Sequence, residues 1–335
     1  METHVAQLFK KEYLLQSAAA FQVNPGNMQE LDGFENFIYE GQTEQTAVIL
    51  RLSHSSKKDR IQIGSELAFV NYLVLHGAGV ARPLGNHIGQ LVSEIPLSDG
   101  SYFSAVCFEK APGRHPQGAD FNPVLYRAWG SAMGKMHRLS RTYIPPQPSL
   151  QRIHWNEEVE VTRAAYYLPA GQQRVVEMVA LYTQRLQQLP VTAGNYGVIH
   201  NDLHPYNFLY DGINLTMIDF EDSVQMWYIA DLVTSLFMVS VWPPHGLSRE
   251  DFTRSFWPHF VRGYRQENDL PHEWLASIPL FLKFRELGMY VAFYRACDME
   301  NLDPWPAHFL NGRRERIEQD LPYMDLMDWE ALSTT

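Results

Sequence analysis

The sequence predicts an α+β fold of two lobes, a small β-rich N-terminal lobe (residues 1–110) and a larger, mainly helical C-terminal lobe (residues 111–335). Three observations lead to this prediction. Short β-rich runs lie between residues 28 and 110, helical periodicity dominates afterwards, and the segment Ala111–Pro123, rich in proline and glycine, separates the two patterns. A length of 335 residues also suits about two domains.

In the N-terminal lobe, residues 1–20 have the pattern of an amphipathic helix. A second helix is expected at Gln62–His76, because apolar residues recur on one of its faces and Gly77 follows it. Strands are expected at Phe34–Glu40, Ala47–Leu52, Ile88–Ile95 and Tyr102–Phe108. The last two flank Ser98-Asp99-Gly100, which is typical of a hairpin turn.

The C-terminal lobe is expected to consist mainly of helices. Their predicted spans are Leu125–Ser140, Glu157–Tyr167, Gln172–Gln188, Ile229–Val241, Arg249–Gln266 and Leu280–Cys297. The stretch Val198–Phe220 is the exception, because it has the pattern of a loop, a strand, a turn at Asp211-Gly212 and a second strand. The sequence therefore places a hairpin inside the helical lobe.

Composition limits the partners and the setting of the chain. The net charge of −11 argues against nucleic acid as a partner, because phosphate backbones need clustered Lys and Arg, but it is compatible with a cationic substrate. Two cysteines cannot form a disulfide framework. The absence of a run of eighteen apolar residues predicts no membrane span. A cytoplasmic location is expected, and the oligomeric state stays open.

The most informative stretch is His-Asn-Asp-Leu-His-Pro-Tyr-Asn at residues 200–207, which Ile-Asp-Phe-Glu at residues 218–221 follows. It supplies a carboxylate at Asp202, a carboxamide five residues later at Asn207, and a second carboxylate, Asp219, after an apolar strand. Phosphoryl transfer needs such a set, because one Asp accepts the proton of an incoming hydroxyl while an Asn and another Asp hold Mg²⁺. We therefore predict Asp202 as the base and Asn207 and Asp219 as metal ligands.

The two histidines of this stretch admit two interpretations. His200, Asp202 and His204 could bind a metal ion together, which would indicate a metallohydrolase. Alternatively, His200 braces the loop and His204 lies beside the transferring phosphate. We favour the second interpretation, because a metallohydrolase does not explain Asn207 or the Ile-Asp-Phe at residues 218–220.

Residues that bind the nucleotide are expected upstream. Val-Ile-Leu-Arg at residues 48–51 stands where kinases have a Val-Ala-Ile-Lys strand. Strand alternation puts Ile49 and Arg51 on one face, so that Ile49 would line an adenine pocket and Arg51 would reach the phosphates. Glu66, fifteen residues on, would pair with Arg51. Arginine keeps the charge of the usual lysine but is broader and bidentate.

Two further segments are candidates for nucleotide contacts. Gly33, in the turn before Arg51, would allow the close backbone approach that a phosphate needs, although an ordinary hairpin explains it nearly as well. The chain leaves the last predicted strand at Phe108–Ala111, where the backbone of Glu109 and Ala111 would contact adenine. By contrast, Gly-Ser-Ala-Met-Gly-Lys at residues 130–135 lacks the spacing of a P-loop.

Aromatic residues are frequent in the C-terminal helices. They could bind an ammonium group by cation–π contact, but a helical core explains them better. They include Trp227, Tyr228, Trp242, Trp257, Tyr264, Phe284 and Tyr290. Asp231, near the predicted start of a helix, is expected to be buried and to brace the catalytic loop.

Taken with their spacing, the motifs at residues 200–207 and 218–221 resemble those of the aminoglycoside phosphotransferase superfamily. Its usual signature is His-Gly-Asp-x-His-x-x-Asn followed by Ile-Asp-Phe or Ile-Asp-Trp. The resemblance extends to Glu30–Glu40, to Arg51 and Glu66, to Met136-His137 before the catalytic loop and to Asp231, and so covers most of the chain.

The resemblance implies a protein-kinase-like fold and the transfer of a phosphate from ATP, or from GTP in some members, to a hydroxyl of a small molecule with the help of Mg²⁺. On the matching positions it implies Asp202 as the base, Asn207 and Asp219 as the metal ligands, and Arg51 as the phosphate contact.

The resemblance leaves the acceptor open. Asn201 stands where the usual signature has Gly, and in this respect the chain is similar to choline and ethanolamine kinases, while homoserine kinases and a bacterial stress-response protein kinase share the scaffold. The first hypothesis is a phosphotransferase acting on a small hydroxyl compound, with an aminoglycoside-like or choline-like amine or amino alcohol as the candidate acceptor. The second is a protein Ser/Thr kinase, and the third is a non-catalytic nucleotide-binding scaffold, which only the departure at Arg51 favours.

Overall fold

The computed structural model describes residues 3–33, 36–325 and 327–334. The chain divides into two compact units. The first takes in the chain up to Gly113 together with Tyr143–Arg152 and Thr216–Glu221, and the second comprises Arg114–Thr142, Ile153–Leu215 and the chain from Asp222 onwards. The lobe boundary after residue 110 stays a prediction.

The described residues of the first unit form three α-helices and a sheet of six strands. The helices are α1 (Thr3–Leu8), α2 (Lys11–Ala20) and α3 (Arg60–Leu75). The strands are β1 (Gln29–Leu31), β2 (Phe37–Gln42), β3 (Ala47–His54), β4 (Pro83–Leu84), β5 (Ser93–Pro96) and β6 (Tyr102–Glu109). All pairings are antiparallel in the order β1-β2-β3-β6-β4, and β5 also pairs with β6.

The two faces of β3 have different neighbours, because successive side chains of a strand point to opposite faces. Leu50 and Leu52 belong to one apolar cluster with Phe103 of β6 and Tyr13 of α2. On the other face, Val106 of β6 packs with residues of α3. Ile49 and Arg51 alternate with the leucines and therefore share this second face, which is where a nucleotide-binding pair was expected.

Local sequence explains where α3 begins. Asp59 accepts a hydrogen bond from the backbone N–H of Gln62 at 2.8 Å, and the Gln62 side chain accepts one from the Asp59 N–H at 2.9 Å. This reciprocal capping box satisfies donors that the first helical turn leaves open. The predicted hairpin turn is also present, since the Asp99 carboxylate accepts from the Ser101 N–H at 3.0 Å.

Some boundaries in this unit differ from the prediction. The N-terminal helical stretch consists of two helices, α1 and α2. The helical backbone is interrupted between them, where the ring of Phe9 stacks on that of Phe37 with 3.9 Å between the ring centroids. The strand expected at Ile88–Ile95 is limited to β5. Of the strand expected at Phe34–Glu40, the first two residues lie outside the described residues, as do the first two residues of the chain.

The second unit is mainly helical. Its helices are α4 (Pro123–Ser140), α5 (Val159–Thr162), α6 (Ala164–Tyr167), α7 (Gln173–Gln187), α8 (Tyr228–Val241), α9 (Arg249–Arg265), α10 (His272–Leu275), α11 (Ile278–Ala296), α12 (Pro304–Leu310), α13 (Arg313–Glu318) and α14 (Trp329–Thr334). Its strands are β7 (Tyr196–Ile199), β8 (Phe208–Tyr210) and β10 (Val224–Trp227), while β9 (Leu215–Met217) ends in the first unit. β7 pairs antiparallel with β10.

Helices α4 and α9 approach each other closely at three glycines. A Cβ at Gly130 would overlap the carbonyl of Phe260, and one at Gly134 would lie 2.6 Å from the carbonyl oxygen of Tyr264. A Cβ at Gly263 would in turn overlap the carbonyl of Arg127. The glycines that lack P-loop spacing therefore have a packing role, because only hydrogen side chains let these backbones meet.

The aromatic residues of this unit form a helical core, which is the interpretation that the sequence analysis favoured. Six of the seven named above are buried: Trp227, Tyr228, Trp257, Tyr264, Phe284 and Tyr290. Trp242 is 57% exposed. Both units together confirm the predicted α+β fold class. None of the helices in the described residues combines the length and the apolar character that crossing a bilayer requires.

Candidate active site

The predicted catalytic loop, residues 200–207, connects β7 to β8 in the second unit. Asn201 has a φ of 68°, in the left-handed region. This conformation is comfortable for glycine and is tolerated by asparagine better than by most residues. The backbone therefore explains why Asn can stand where the usual signature has Gly.

Asp231, in the first turn of α8, braces this loop as expected. Its carboxylate is fully buried and accepts hydrogen bonds from the backbone N–H groups of His200 and Asn201, both at 2.9 Å. From the same helix, the Ser235 hydroxyl donates to the carbonyl oxygen of Leu203 at 2.6 Å. The loop is thus fixed by backbone contacts on both sides of Asp202.

His137, at the end of α4, completes this brace. Its Nε2 lies 2.9 Å from the Asp231 carboxylate, and its Nδ1 lies 3.0 Å from the Tyr264 hydroxyl. A carboxylate can only accept, so Nε2 carries the proton and donates. Burial lowers the pKa of His137 below its ordinary value in spite of the neighbouring Asp231.

Asp202 is held at both carboxylate oxygens. Oδ1 accepts a 2.8 Å hydrogen bond from Nη2 of Arg285, a residue of α11. Oδ2 accepts a 3.0 Å hydrogen bond from Nδ2 of Asn207 and lies 3.2 Å from Nε2 of His204. The side chain keeps 23% exposure, so the carboxylate is accessible while its orientation is fixed.

These contacts keep Asp202 ionised. Burial favours the neutral form of the carboxyl, but the charges of His204 and Arg285 and the hydrogen bond from His204 outweigh it and lower the pKa of Asp202 to about 2. A carboxylate is thereby available to accept a proton at neutral pH.

Asn207 donates hydrogen bonds to Asp202 through its amide nitrogen, which leaves its amide oxygen available for another ligand. Its Nδ2 donates to the backbone carbonyl of Asp202 at 2.8 Å as well as to the carboxylate. Because Nδ2 must face these two acceptors, Oδ1 is the other end of the amide. Among the hydrogen bonds of the described residues, none involves this oxygen, which is of the hard type that Mg²⁺ prefers.

In the first unit, Arg51 and Glu66 form the predicted pair. Nη1 and Nη2 of Arg51 donate to the two carboxylate oxygens of Glu66 at 2.9 and 2.7 Å, and both residues are buried. Burial opposes the charge on Arg51, but Glu66 and the more distant Glu221 and Asp219 raise its pKa above the ordinary value. The geometry is the bidentate one that distinguishes arginine from lysine.

Asp219 lies beside this pair. Its Oδ1 is 3.8 Å from Nη1 of Arg51, its side chain is 45% exposed and its φ is 61°. Left-handed backbone at a non-glycine residue is uncommon and is concentrated at functional sites. The structure therefore brings Arg51, Glu66 and Asp219 together in one group.

Glu221 joins the same group, although its role was not inferred from the sequence. Its Oε2 lies 3.7 Å from Nη1 of Arg51 and accepts a 2.9 Å hydrogen bond from Nδ2 of Asn36. Oδ1 of Asn36 accepts in turn from the Ser53 hydroxyl at 2.6 Å. These contacts connect Asn36 to the strand that carries Arg51.

The other predicted nucleotide residues line the same sheet. Ile49 is half-buried and pairs across the sheet with Phe108, whose ring lies 5.5 Å from the Arg51 guanidinium. Glu109 ends β6, where its N–H donates to the carbonyl of Arg82 at 2.8 Å. Ala111 is buried.

Gly33 is exposed, and a Cβ at this position would overlap the carbonyl oxygen of Asn36. A side chain at this position would therefore not fit without a shift of the Asn36 backbone, and the role of Gly33 in phosphate binding stays a prediction. Among the described residues, Gly33, Glu109 and Ala111 form no hydrogen bond with Arg51 or Glu66.

Comparison with known proteins places these features in a family. The sequence model of a family described as "Phosphotransferase enzyme family" matches residues 29–275. An amicoumacin kinase of Bacillus subtilis (strain 168) is 30% identical over 331 residues, which cover 98% of this chain and 98% of that protein. A homoserine kinase of Janthinobacterium sp. (strain Marseille) is 25% identical over 272 residues, 78% of this chain and 80% of that protein.

Solved structures agree. An amicoumacin kinase in complex with AMP-PNP, Ca²⁺ and Ami superposes with a TM-score of 0.93 and 32% identity, over 99% of this chain and 100% of that one. A microcompartment-associated aminopropanol kinase has a TM-score of 0.71 at 20% identity, over 95% of this chain and 98% of that one, and supports the fold.

The fold and the site define a kinase-type phosphotransferase of the protein-kinase-like class. The chain belongs to the phosphotransferase enzyme family, so the resemblance to the aminoglycoside phosphotransferase superfamily is confirmed. It is an enzyme that transfers phosphate to a small molecule.

Proposed function

We propose that this enzyme transfers the γ-phosphoryl group of ATP to a hydroxyl of a small molecule, with Asp202 as the base. The observation that carries this proposal is that both carboxylate oxygens of Asp202 are hydrogen-bonded. Oδ1 accepts from Arg285 and Oδ2 accepts from Asn207. A carboxylate that is ionised, oriented and partly exposed is what an attacking hydroxyl needs.

The reaction needs only a modest base, because the transition state of phosphoryl transfer is loose. The hydroxyl oxygen forms a bond to the γ-phosphorus while the bond from that phosphorus to the β–γ bridging oxygen breaks, and its electron pair leaves with ADP. The hydroxyl proton passes to an oxygen of Asp202 and then to solvent. Holding the hydroxyl in line is the main contribution of Asp202.

His204 belongs to the same step in this proposal. Its Nε2 lies 3.2 Å from Oδ2 of Asp202 and its side chain is 15% exposed. A histidine in this position donates toward the carboxylate and leaves the hydroxyl the remaining acceptor sites of Asp202. We propose that it lies beside the transferring phosphate.

Residues 1–110 are proposed to form the nucleotide-binding lobe, and residues 111–335 the catalytic and substrate-binding lobe. In the first, Arg51, oriented by Glu66, contacts the phosphates, and Gly33 lets the backbone approach them. The adenine is proposed to lie against Ile49 and to bind the backbone of Glu109 and Ala111. GTP would satisfy the same phosphate contacts.

Asn207 and Asp219 are the proposed ligands of Mg²⁺. Both offer hard oxygens, and the Asn207 amide already turns its nitrogen toward Asp202. The carboxylates of Glu66, Asp219 and Glu221 lie around Arg51, and a divalent ion beside Asp219 would offset part of their negative charge. Bound Mg²⁺ supplies neutralisation of the triphosphate charge.

The proposed acceptor is amicoumacin, or another small molecule of the amine or amino alcohol class. The amicoumacin kinase of Bacillus subtilis matches this chain along 98% of its length, and the homoserine kinase along 78%. The amicoumacin kinase therefore gives stronger support for the identity of the acceptor than the homoserine kinase does.

The test is ADP release by the purified enzyme with ATP or GTP and Mg²⁺. The acceptors are amicoumacin, homoserine, aminopropanol, choline, an aminoglycoside and casein, and the Asp202→Asn variant is the control. Rapid release with a small hydroxyl compound, absent in the variant, supports the proposal. Release with casein alone would favour a protein kinase, and no release with any acceptor would contradict the proposal.

A further inference from the structure

Arg285 stands outside every motif of the sequence, yet it contacts the proposed base directly. It lies in the middle of α11, and its Nη2 is 2.8 Å from Oδ1 of Asp202. The contacts to the other oxygen of that carboxylate come from the catalytic loop itself, through Asn207 and His204. The two oxygens are thus held by two different elements of the second unit.

We propose that Arg285 is a positioning residue, which fixes the plane of the Asp202 carboxylate for in-line attack by the acceptor hydroxyl. This inference rests on the proposed function of Asp202. The torsion that rotates a carboxylate has a broad energy minimum, so that donors on one oxygen alone leave the plane poorly defined. A donor on each oxygen removes this freedom.

The contact leaves room for the acceptor. Each oxygen of a carboxylate has about two lone-pair positions, and Oδ1 accepts one hydrogen bond, from Arg285. The second position of Oδ1 can accept the hydrogen bond of an incoming hydroxyl while Arg285 stays in place. Orientation and proton acceptance are therefore compatible at the same oxygen.

The surroundings of Arg285 argue against a purely structural role. Its ion pair with Asp202 is partly exposed, at 20% for Arg285 and 23% for Asp202, and an ion pair of this kind adds little to stability. The orientation of Asp202 explains the arrangement better than folding does.

Precise orientation has a large effect on the rate. A displacement of about 1 Å at a reacting group reduces the rate about a hundredfold, because the pre-arranged geometry is lost. Arg285→Gln removes the charge and the fork of donors, and we expect it to lower kcat about ten- to a hundredfold. KM for ATP and for the acceptor should change little, since neither is bound by Arg285.

The chain offers a matched control on the same helix. Arg295 donates through Nε to Glu160 at 2.7 Å, and its side chain is 27% exposed, compared with 20% for Arg285. Arg295→Gln therefore removes an ion pair of similar burial from α11 without touching Asp202.

The experiment measures kcat and KM by ADP release with ATP and amicoumacin, and in parallel the thermal shift that ATP and Mg²⁺ produce. The variants are Arg285→Gln, Arg285→Lys and Arg295→Gln, with Asp202→Asn as the inactive reference. We expect Arg285→Gln to lose kcat at unchanged KM, Arg285→Lys to recover at least half of that loss on a logarithmic scale, and Arg295→Gln to stay within twofold of the wild type. All should keep the ATP-dependent thermal shift, which shows that they are folded.

Three results would overturn the inference. Wild-type kcat in Arg285→Gln would show that the contact is idle, and an increase of KM for amicoumacin at constant kcat would make Arg285 an acceptor-binding residue instead. A loss of kcat in Arg285→Gln that only parallels a loss of the thermal shift would make its role structural. If Asp202→Asn is as active as the wild type, the proposed function itself fails, whatever Arg285 does.

Discussion

Nη1 of Arg51 lies 3.8 Å from Oδ1 of Asp219, while the same guanidinium donates to both carboxylate oxygens of Glu66. Glu221 is a third carboxylate at 3.7 Å. The Arg51 guanidinium thus faces three acidic side chains, while Arg152 and Lys58 donate to the backbone carbonyl of Glu221. A phosphate that approaches Arg51 meets these carboxylates, so we expect tight binding of a nucleotide to require a divalent cation.

The Arg51–Glu66 pair should matter for stability as well as for the nucleotide. Arg51→Ala leaves the carboxylate of Glu66, which is 2% exposed, without a partner. Breaking a buried pair from one side costs about 3–5 kcal/mol, so the free energy of unfolding should fall by about that amount, and affinity for ATP should fall with it. Urea unfolding and ATP titration of the same sample measure both.

Arg51→Lys separates charge from geometry. Lysine keeps the charge but cannot contact both oxygens of Glu66 through a planar fork. We expect intermediate stability and weaker binding of ATP. Wild-type behaviour of this variant would mean that Arg51 acts as a simple charge and that the bidentate geometry is unimportant.

Asp202→Asn should abolish transfer and spare nucleotide binding. The amide cannot accept the proton of the hydroxyl, and loss of a positioned base typically lowers a rate by about 10²–10⁴-fold. ATP binding should persist, because the base contacts the acceptor. Turnover and the thermal shift with ATP and Mg²⁺ measure the two effects, and a variant that no longer binds ATP would count against the proposed role.

Asp219→Ala should remove the part of ATP binding that depends on Mg²⁺. The side chain is 45% exposed, but Ala tolerates the left-handed backbone at this position less well than Asp does, so the free energy of unfolding should fall by about 1 kcal/mol. Isothermal titration with ATP, with and without Mg²⁺, measures the difference. Asp211→Ala, which affects only turn contacts to Ile213 and Asn214, is the control. Undiminished affinity in the presence of Mg²⁺ would exclude Asp219 as a ligand.

His137 should make the enzyme less stable in mild acid. Burial lowers the pKa of His137 below its ordinary 6.5. Below that pH the unfolded chain binds a proton that the folded protein does not, so the free energy of unfolding falls as pH falls, by at most about 1.4 kcal/mol per pH unit. His137→Gln can still donate to Asp231 but has no such titration. Its stability should vary less between about pH 7 and about pH 5, as urea unfolding would show, and equal slopes would contradict the assignment.

The contact between Asp202 and Asn207 could be predicted because the two residues are close in the sequence. Asp202 and Asn207 are five residues apart, and the Nδ2 of Asn207 reaches both the backbone and the side chain of Asp202. A short, fixed spacing along the chain therefore determines a fixed arrangement in space. Arg51 and Glu66 are also near each other in the sequence, because they lie on β3 and on α3, the next element of the chain.

Arg285 could not be predicted for the opposite reason. It is 83 residues from Asp202 in the sequence, on a helix whose other arginine and lysine residues form ion pairs with different partners. From the sequence alone, an arginine in such a helix cannot be distinguished from an ordinary arginine on a solvent-exposed face. Only the packing of α11 in the second unit shows which carboxylate it meets.

Secondary structure was missed where tertiary contacts decide it. β7 has four residues, too few to show strand alternation, and it is stabilised by β10, which begins 25 residues after β7 ends. The segment expected to be one helix at Glu157–Tyr167 is instead two single-turn helices, α5 and α6. In both places the backbone conformation depends on contacts with residues that are distant in the sequence.

The glycine contacts between α4 and α9 have a consequence for synthesis of the chain. Gly130 meets the backbone of Phe260 and Trp129 packs on Phe256 and Phe260, so the part of the apolar face of α4 that α9 covers stays without these partners until α9 has emerged from the ribosome. At about 5–20 residues per second that interval lasts on the order of ten seconds. A nascent chain that stops before α9 exposes this face to its neighbours, which makes truncated products prone to aggregate.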